Sequence, residues 1–161
     1  MKENILVKDK EFMISISAEE LDRAVSKIAN DIKDDLKDKD PVFLVILNGA
    51  FMFASDLMKK LDFPLSLSFL KLASYEGTSS SGHVKQLFGF NEDLSGRNVV
   101  VVEDIIDSGV TMASILKQLK ALNVADVKIA SLLFKPAAFM MDFPIDYIGL
   151  EIPNDFIVGY G

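Results

Sequence analysis

The stretch VVVVEDIIDSGVTM, residues 99–112, sets the frame for the whole chain. Four valines in a row read as a strand, because β-branched side chains suit a pleated, buried surface. They run directly into Glu103 and Asp104, and two isoleucines later comes Asp107. Ser108, Gly109, Val110 and Thr111 then form a turn into a helix with Met112, Ile115, Leu116, Leu119 and Leu122 on one side. A capped helix after a strand accounts for a Ser or Asp at the cap. It does not account for two adjacent acids and a third placed behind them.

The rest of the chain repeats the alternation of strand and helix. Ser17-Ala18-Glu19-Glu20 has the capping-box pattern and opens a helix in which Leu21, Val25, Ile28, Ile32 and Leu36 recur at helical spacing. The acidic stretch 31–40 is the solvated face and exit of that helix, which Pro41 stops. Residues 42–49, VFLVILNG, form a continuous apolar run ending in Asn-Gly, as expected for a strand buried on both faces. A helix over 51–61 and a strand over 65–75 follow. Residues 76–83 read as a polar Gly- and Ser-rich loop, and 84–90 as a short returning strand. The strand at 99–102 and its helix come next, then strands over 127–133, 147–152 and 156–160. The pattern predicts an α/β fold with a mainly parallel central sheet flanked by helices. No repeat, linker or composition break divides residues 1–161, so a single domain is expected.

Composition narrows the function. The formal charge is −7 and the pI about 4.7, so no long-range field draws in nucleic acid or an anionic membrane surface. The sequence holds no cysteine, which excludes disulfides, thiol catalysis and zinc-thiolate sites and suits a cytoplasmic home. A single histidine, His83, rules out a histidine-based metal cage and reads as a solvated loop residue. The first residues, MKENILVKDKEF, contain no apolar core of a signal peptide, and no apolar run approaches the roughly 18 residues of a membrane-spanning helix.

In a parallel sheet, ligands bind beyond the carboxyl ends of the strands, where Glu103, Asp104 and Asp107 are expected. A helix N-terminus offers unpaired N–H groups and a positive dipole end, so the turn at 107–111 suits a phosphate. Gly109 allows backbone to approach the anion, and Ser108 and Thr111 add hydroxyl donors. The strand end favours hydroxyls or a cation. A phosphorylated sugar meets both demands, with its phosphate in the turn and its diol on the carboxylates. A phospho-accepting receiver-like domain also carries acids at strand ends, but has no need of the Gly-x-Thr turn behind them.

This arrangement of apolar strand, acid pair, two apolar residues and Asp-Ser-Gly-x-Thr resembles the phosphoribosyl-pyrophosphate (PRPP) motif of the type I phosphoribosyltransferases. The resemblance extends over nearly the whole chain, and its finer motifs are similar to the hypoxanthine-guanine branch. It implies that branch's fold, with a small hood formed by the chain ends. It implies purine salvage, in which PRPP and a 6-oxopurine (hypoxanthine, and guanine) give a nucleoside 5′-monophosphate and pyrophosphate. Xanthine or another nucleobase as substrate, and a non-catalytic PRPP-sensing regulator, are the alternatives. The implied cofactor is Mg²⁺, held with the ribose diol by Glu103 and Asp104. Asp107 would be the catalytic base and, with Ser108, Gly109, Val110 and Thr111, would line the 5′-phosphate site.

Leu47, Asn48 and Gly49 fall where the branch binds pyrophosphate, with Asn48 in place of the usual lysine. In the family this loop often has a cis peptide before its second residue. Lys135 matches the lysine that contacts the purine 6-oxo group, Phe156 the aromatic that stacks on the base, and Ile157 the backbone that reads the base edge. Ser74 and Tyr75 match the start of the loop that closes over the substrates. The resemblance also implies a cytoplasmic homodimer or homotetramer, with no nucleic-acid or membrane partner. The family continues past the position of Gly161 with a Leu-Asp-Tyr-like segment whose Asp reaches the metal-bound pyrophosphate. The sequence stops before it, and a trimmed chain and a missing ligand remain alternatives.

Overall fold

The structure of the protein, a computed structural model, describes residues 4–73, 85–88 and 92–161. At the N-terminal end, β1 (Asn4–Val7) and β2 (Lys10–Met13) pair antiparallel as a separate, largely exposed two-stranded sheet. The helix α1 (Ala18–Leu36) starts where the capping pattern placed it. Ser17 Oγ accepts from the Glu20 N–H at 3.2 Å, and Glu20 Oε2 accepts from the Ser17 N–H at 2.8 Å. The second of these bonds holds the Glu20 carboxyl below the usual carboxylate range. Val25, Ile28, Ile32 and Leu36 are buried along one stripe, and the aspartates of 31–40 lie on the open side.

The main sheet is built from β3 (Val42–Leu47), β4 (Ser66–Ala73), β5 (Lys85–Phe88), β6 (Asn98–Ile106), β7 (Asp126–Phe134) and β8 (Tyr147–Glu151). Among the described residues its order is β5-β4-β3-β6-β7-β8, with β5 antiparallel and the other strands parallel. The continuous apolar runs exist because both faces of the central strands are covered. Phe43, Val45, Val100 and Val102 pack under α1 and α2 (Phe51–Met58). Val42, Leu44, Val99 and Val101 pack on the opposite face with Met112, Ile115 and Leu119 of α3 (Val110–Ala121). Each fully buried Leu, Ile or Val contributes about 1.5–3 kcal/mol, so this three-layer packing, more than helix propensity, stabilises the helices. No helix of the described residues is long and apolar enough to cross a membrane.

Two features of the topology create the site. α2 leaves β3 toward one face of the sheet, and α3 leaves β6 toward the other. The neighbouring strands β3 and β6 therefore form the point where the winding reverses, the place where a crevice opens in such sheets. Moreover, β3 and β6 pair only from Val42 with Val99 to Val45 with Val102, while β6 goes on pairing with β7 as far as Ile106 and Phe134.

The strand read from the sequence as 99–102 thus runs on to Ile106, and Glu103 and Asp104 lie within its last turns of pleat, not after it. Ile105 and Ile106 keep the ladder with β7 going, which the two acids alone would not suggest. The helix behind begins at Val110. The expected strand at 156–160 is absent, because Gly159 (φ 103°) and Tyr160 (φ 61°) turn the chain out of the extended region. The helix expected over 51–61 ends at Met58 and closes in a turn, and the loop at 76–83 lies outside the described residues.

Replacing Ser17 with Ala should remove the side-chain half of the capping box at the start of α1. We expect a loss of about 1 kcal/mol, read as a lower urea midpoint with an unchanged m-value. An unchanged midpoint would mean that solvent satisfies the Glu20 N–H equally well.

Candidate active site

The crevice between the ends of β3 and β6 is floored by a close contact. Chain leaving β3 turns at Asn48 and Gly49, where the Ala50 N–H reaches Ile46 O at 3.2 Å and the Phe51 N–H reaches Asn48 O at 3.1 Å. The Leu47–Asn48 peptide bond is cis, as the family resemblance implied. Gly49 lies flat on the Asp104 carboxylate, and a Cβ at this position would come within 2.8 Å of Asp104 Oδ2. A side chain at this position would displace that carboxylate, so glycine lets the loop rest on it. Backbone of the Asn48–Gly49 loop and a carboxylate of β6 thereby share one small volume.

Next to it, residues 107–111 wrap an open cleft of about 280 Å³ lined by Glu103, Ile105, Asp107, Ser108, Gly109 and Thr111, among others. Gly109 caps α3 in the left-handed region, φ 84°, and no side chain caps this helix. Its carbonyl accepts from the Ala113 N–H at 2.9 Å as the first bond of the helix, whose first-turn N–H groups have no helical acceptor. Ser108 Oγ lies 3.4 Å from the Val110 N–H, a long contact that an anion would displace easily. Behind the turn stands the segment after β7. The Met140 N–H donates to Ser108 O at 3.1 Å, and a Cβ on Gly109 would meet Phe139 Cε2 at 2.6 Å and Met141 Cγ at 2.9 Å. Edge-to-face contacts of Phe139 with Phe134 and Phe143, at 5.2 and 5.3 Å, fix that backing.

Two adjacent acids and one buried cation set the electrostatics of this end of the sheet. Burial pushes the Glu103 carboxyl well above its ordinary range, and the hydrogen-bonding and charge of neighbouring Asp104 add to the rise. Glu103 Oε1 accepts the Asp104 N–H at 3.2 Å. Lys135 follows directly on β7, tied by its N–H to Ile106 O at 3.0 Å, and is only 8% exposed. Its Nζ lies 3.0 Å from Asp107 Oδ1, so a buried cation and an exposed carboxylate face one another at the rim of the cleft. Among the described residues, no cluster of three or more His, Cys, Asp or Glu is arranged to hold a metal by itself.

The residues named from the sequence thus fall into one region: Asn48 and Gly49, Glu103 and Asp104, the turn from Asp107 to Thr111, and Lys135. Phe156 stands 83% exposed on the C-terminal tail, while Ile157 packs on the core. Ser74 and Tyr75 lie outside the described residues. Phe139 and Met141 were not anticipated as supports of the turn. Met140-Met141 reads in sequence as apolar loop packing, and nothing local indicates that its neighbours press on Gly109.

Residues 17–161 match the family described as the phosphoribosyl transferase domain. The bifunctional protein TilS/HprT of Listeria monocytogenes serotype 4b (strain F2365) is 37% identical over 149 residues, which is 92% of this chain; the chain spans only 23% of the length of that relative. The hypoxanthine-guanine phosphoribosyltransferase of Bacillus subtilis (strain 168) is 34% identical, over 92% of this chain and 83% of the relative. Among solved structures, a hypoxanthine-guanine phosphoribosyltransferase from Bacillus anthracis superposes with a TM-score of 0.84 at 36% identity. That likeness covers 91% of this chain and 85% of the other.

The raised pKa of Glu103 carries a stability consequence. In the folded chain this carboxyl holds its proton more tightly than in the unfolded chain, so stability falls as pH rises from the ordinary glutamate value of about 4.3 toward the raised one. Glu103→Gln should therefore stabilise the protein at pH 8 without divalent cations, by about 0.5–2 kcal/mol, and the gain should vanish toward pH 4. Paired thermal melts across pH check this; a variant less stable at every pH would show that the carboxylate is already compensated.

Proposed function

The chain belongs to the phosphoribosyl transferase domain family, and from that premise we propose that it is a purine salvage enzyme. It transfers the phosphoribosyl group of PRPP to a 6-oxopurine, hypoxanthine or guanine, giving the nucleoside 5′-monophosphate and pyrophosphate. The observation that carries this reading is the Lys135–Asp107 pair, Nζ to Oδ1 3.0 Å, beside the open cleft of residues 107–111. A 6-oxopurine presents a carbonyl acceptor and an N7–H donor on adjacent positions of one edge. An ammonium next to a carboxylate is the complement of that edge. The 6-amino group of adenine offers only donors to the ammonium.

The roles of the residues follow. The first-turn N–H groups of α3, with Ser108 and Thr111, hold the 5′-phosphate and so place C1 of the ribose. Glu103 and Asp104 accept hydrogen bonds from the ribose diol. The Asn48–Gly49 backbone takes the pyrophosphate without a lysine side chain. Phe156 stacks on the base and the backbone at Ile157 reads its edge. As N9 attacks C1, the C1–oxygen bond to pyrophosphate breaks and the proton on N7 passes to Asp107.

Glu103 and Asp104 also fit Mg²⁺. Two adjacent hard carboxylates are a donor set for an ion that keeps its waters and shares substrate oxygens. Bound there, Mg²⁺ would neutralise charge on the departing pyrophosphate. The reading includes a cytoplasmic setting and a homodimer or homotetramer. The exposed Phe51 and Met52 of α2, with Leu67 and Phe69 on the same side of β4, support self-association.

Steady-state assays with PRPP and each of hypoxanthine, guanine, xanthine and adenine test the proposal directly; no turnover with any of them would end it. Lys135→Ala should cost about 1–3 kcal/mol in kcat/KM for hypoxanthine, the effect of losing a charged hydrogen-bond partner. An unchanged value would assign Lys135 to Asp107 alone. Asp107→Asn should lower kcat by about 10²–10⁴ and leave KM for PRPP nearly unchanged, because an amide of the same shape cannot take the N7 proton. A raised KM for PRPP with normal kcat would make Asp107 a turn ligand instead of the base.

A further inference from the structure

Residues 155–161 belong to no helix or strand, and among the described residues the last backbone hydrogen bond securing this end is Ile152 N–H to Phe134 O, 2.8 Å. Beyond it the tail is fixed by side chains. Ile157 and Tyr160 pack against the core beneath α1 and α2, whereas Phe156 and Val158 are exposed. The Tyr160 O–H donates to Asp56 Oδ2, the one side-chain hydrogen bond made by residues 153–161 among the described residues. Asp56 lies on α2, the helix that grows directly out of the Asn48–Gly49 loop.

The backbone is shaped to make this contact. Gly159, Tyr160 and Gly161 have φ of 103°, 61° and 125°, so the tail folds back on itself. The two glycines turn this way freely, but Tyr160 is a bulky residue in the left-handed region and needs outside contacts to stay there. Its ring packing and its bond to Asp56 supply them. The fold-back then lays Gly161 directly against Gly49 O, so the tail touches the loop at its far end as well.

We infer that Tyr160 is a positioning residue: through Asp56 it fastens the tail carrying Phe156 and Ile157 to the helix carrying the Asn48–Gly49 loop. On the proposed reaction, on which this inference rests, the base subsite and the pyrophosphate subsite are thereby assembled as one unit. Loss of the tie would leave the chemistry at Asp107 intact but let the base bind loosely. A latch of purely structural value would lower stability without changing substrate use.

Tyr160→Phe keeps the ring and removes only the hydroxyl. Its KM for hypoxanthine should rise about 3- to 10-fold, with kcat close to that of the parent. Asp56→Ala should reproduce that split, Asp56→Asn should recover part of it through its remaining acceptor oxygen, and the double variant Tyr160→Phe, Asp56→Ala should be no worse than either single change. An unchanged KM for hypoxanthine in Tyr160→Phe, or additive effects in the double variant, would overturn the inference. Hydrogen exchange without substrate separates its failure from that of the proposed reaction. If the parent transfers nothing from PRPP, the tie stands when Tyr160→Phe speeds exchange at both 156–161 and 48–51, and falls when 48–51 is unaffected.

Discussion

Where β3 and β6 stop pairing, at Val45 and Val102, the sheet splits while β6 holds on to β7 for four more residues, to Ile106. Everything at the functional end depends on that split. It frees the last residues of β3 to turn at Asn48 and Gly49, and it opens one flank of Glu103 and Asp104 without releasing them from the sheet. The acids are therefore rigid and partly desolvated at once. The raised pKa of Glu103 follows from this placement, since its carboxyl is desolvated beside another carboxyl. Such a group is a cost to folding, of the kind found where a structure reserves charge for a ligand.

Two glycines convert the split into a shaped site. Gly49 allows the loop after β3 to rest on the Asp104 carboxylate, and Gly109 allows the turn after β6 to rest on Phe139 and Met141. In both places a methyl group would collide with a neighbour. The second case is stricter, because Gly109 also has φ of 84° and its obstacle is an aromatic ring held edge-on between Phe134 and Phe143. The turn at 107–111 is thus shaped from behind by the segment after β7, the same segment that brings Lys135 to the rim.

How much of this could be read in the sequence depended on distance along the chain. The capping box of α1 and the doubly buried run of β3 are each contained in a short stretch, and each formed as read. The end of β6 falls later than the sequence pattern suggests, because Glu103 and Asp104 resemble a strand terminus. The ladder with β7, some thirty residues away in sequence, carries it on. The run Phe156-Ile157-Val158 looked like a strand, but its path is set by the positive φ at Gly159 and Tyr160 and by an acceptor on α2, 104 residues earlier. Phe139 gave no local sign of its place behind Gly109. Lys135 was singled out through resemblance to a family; no spacing rule placed its ammonium against Asp107.

On the proposed reading, that pair also gives the site a way to discriminate between purines before any chemistry occurs. Lys135 is buried, and a buried ammonium without a partner is strongly disfavoured. Asp107 supplies that partner. On the proposed reading, a base that enters must supply an acceptor for the lysine and a donor for the carboxylate on neighbouring atoms, or else interpose itself and leave both charges worse off. A 6-oxopurine meets the first condition and a 6-aminopurine the second. Selectivity of this sort rests less on the strength of the correct hydrogen bonds than on the penalty for leaving buried polar groups unpaired, which is the larger of the two effects. On that reading, the ion pair between Lys135 and Asp107 is what an incoming base has to replace.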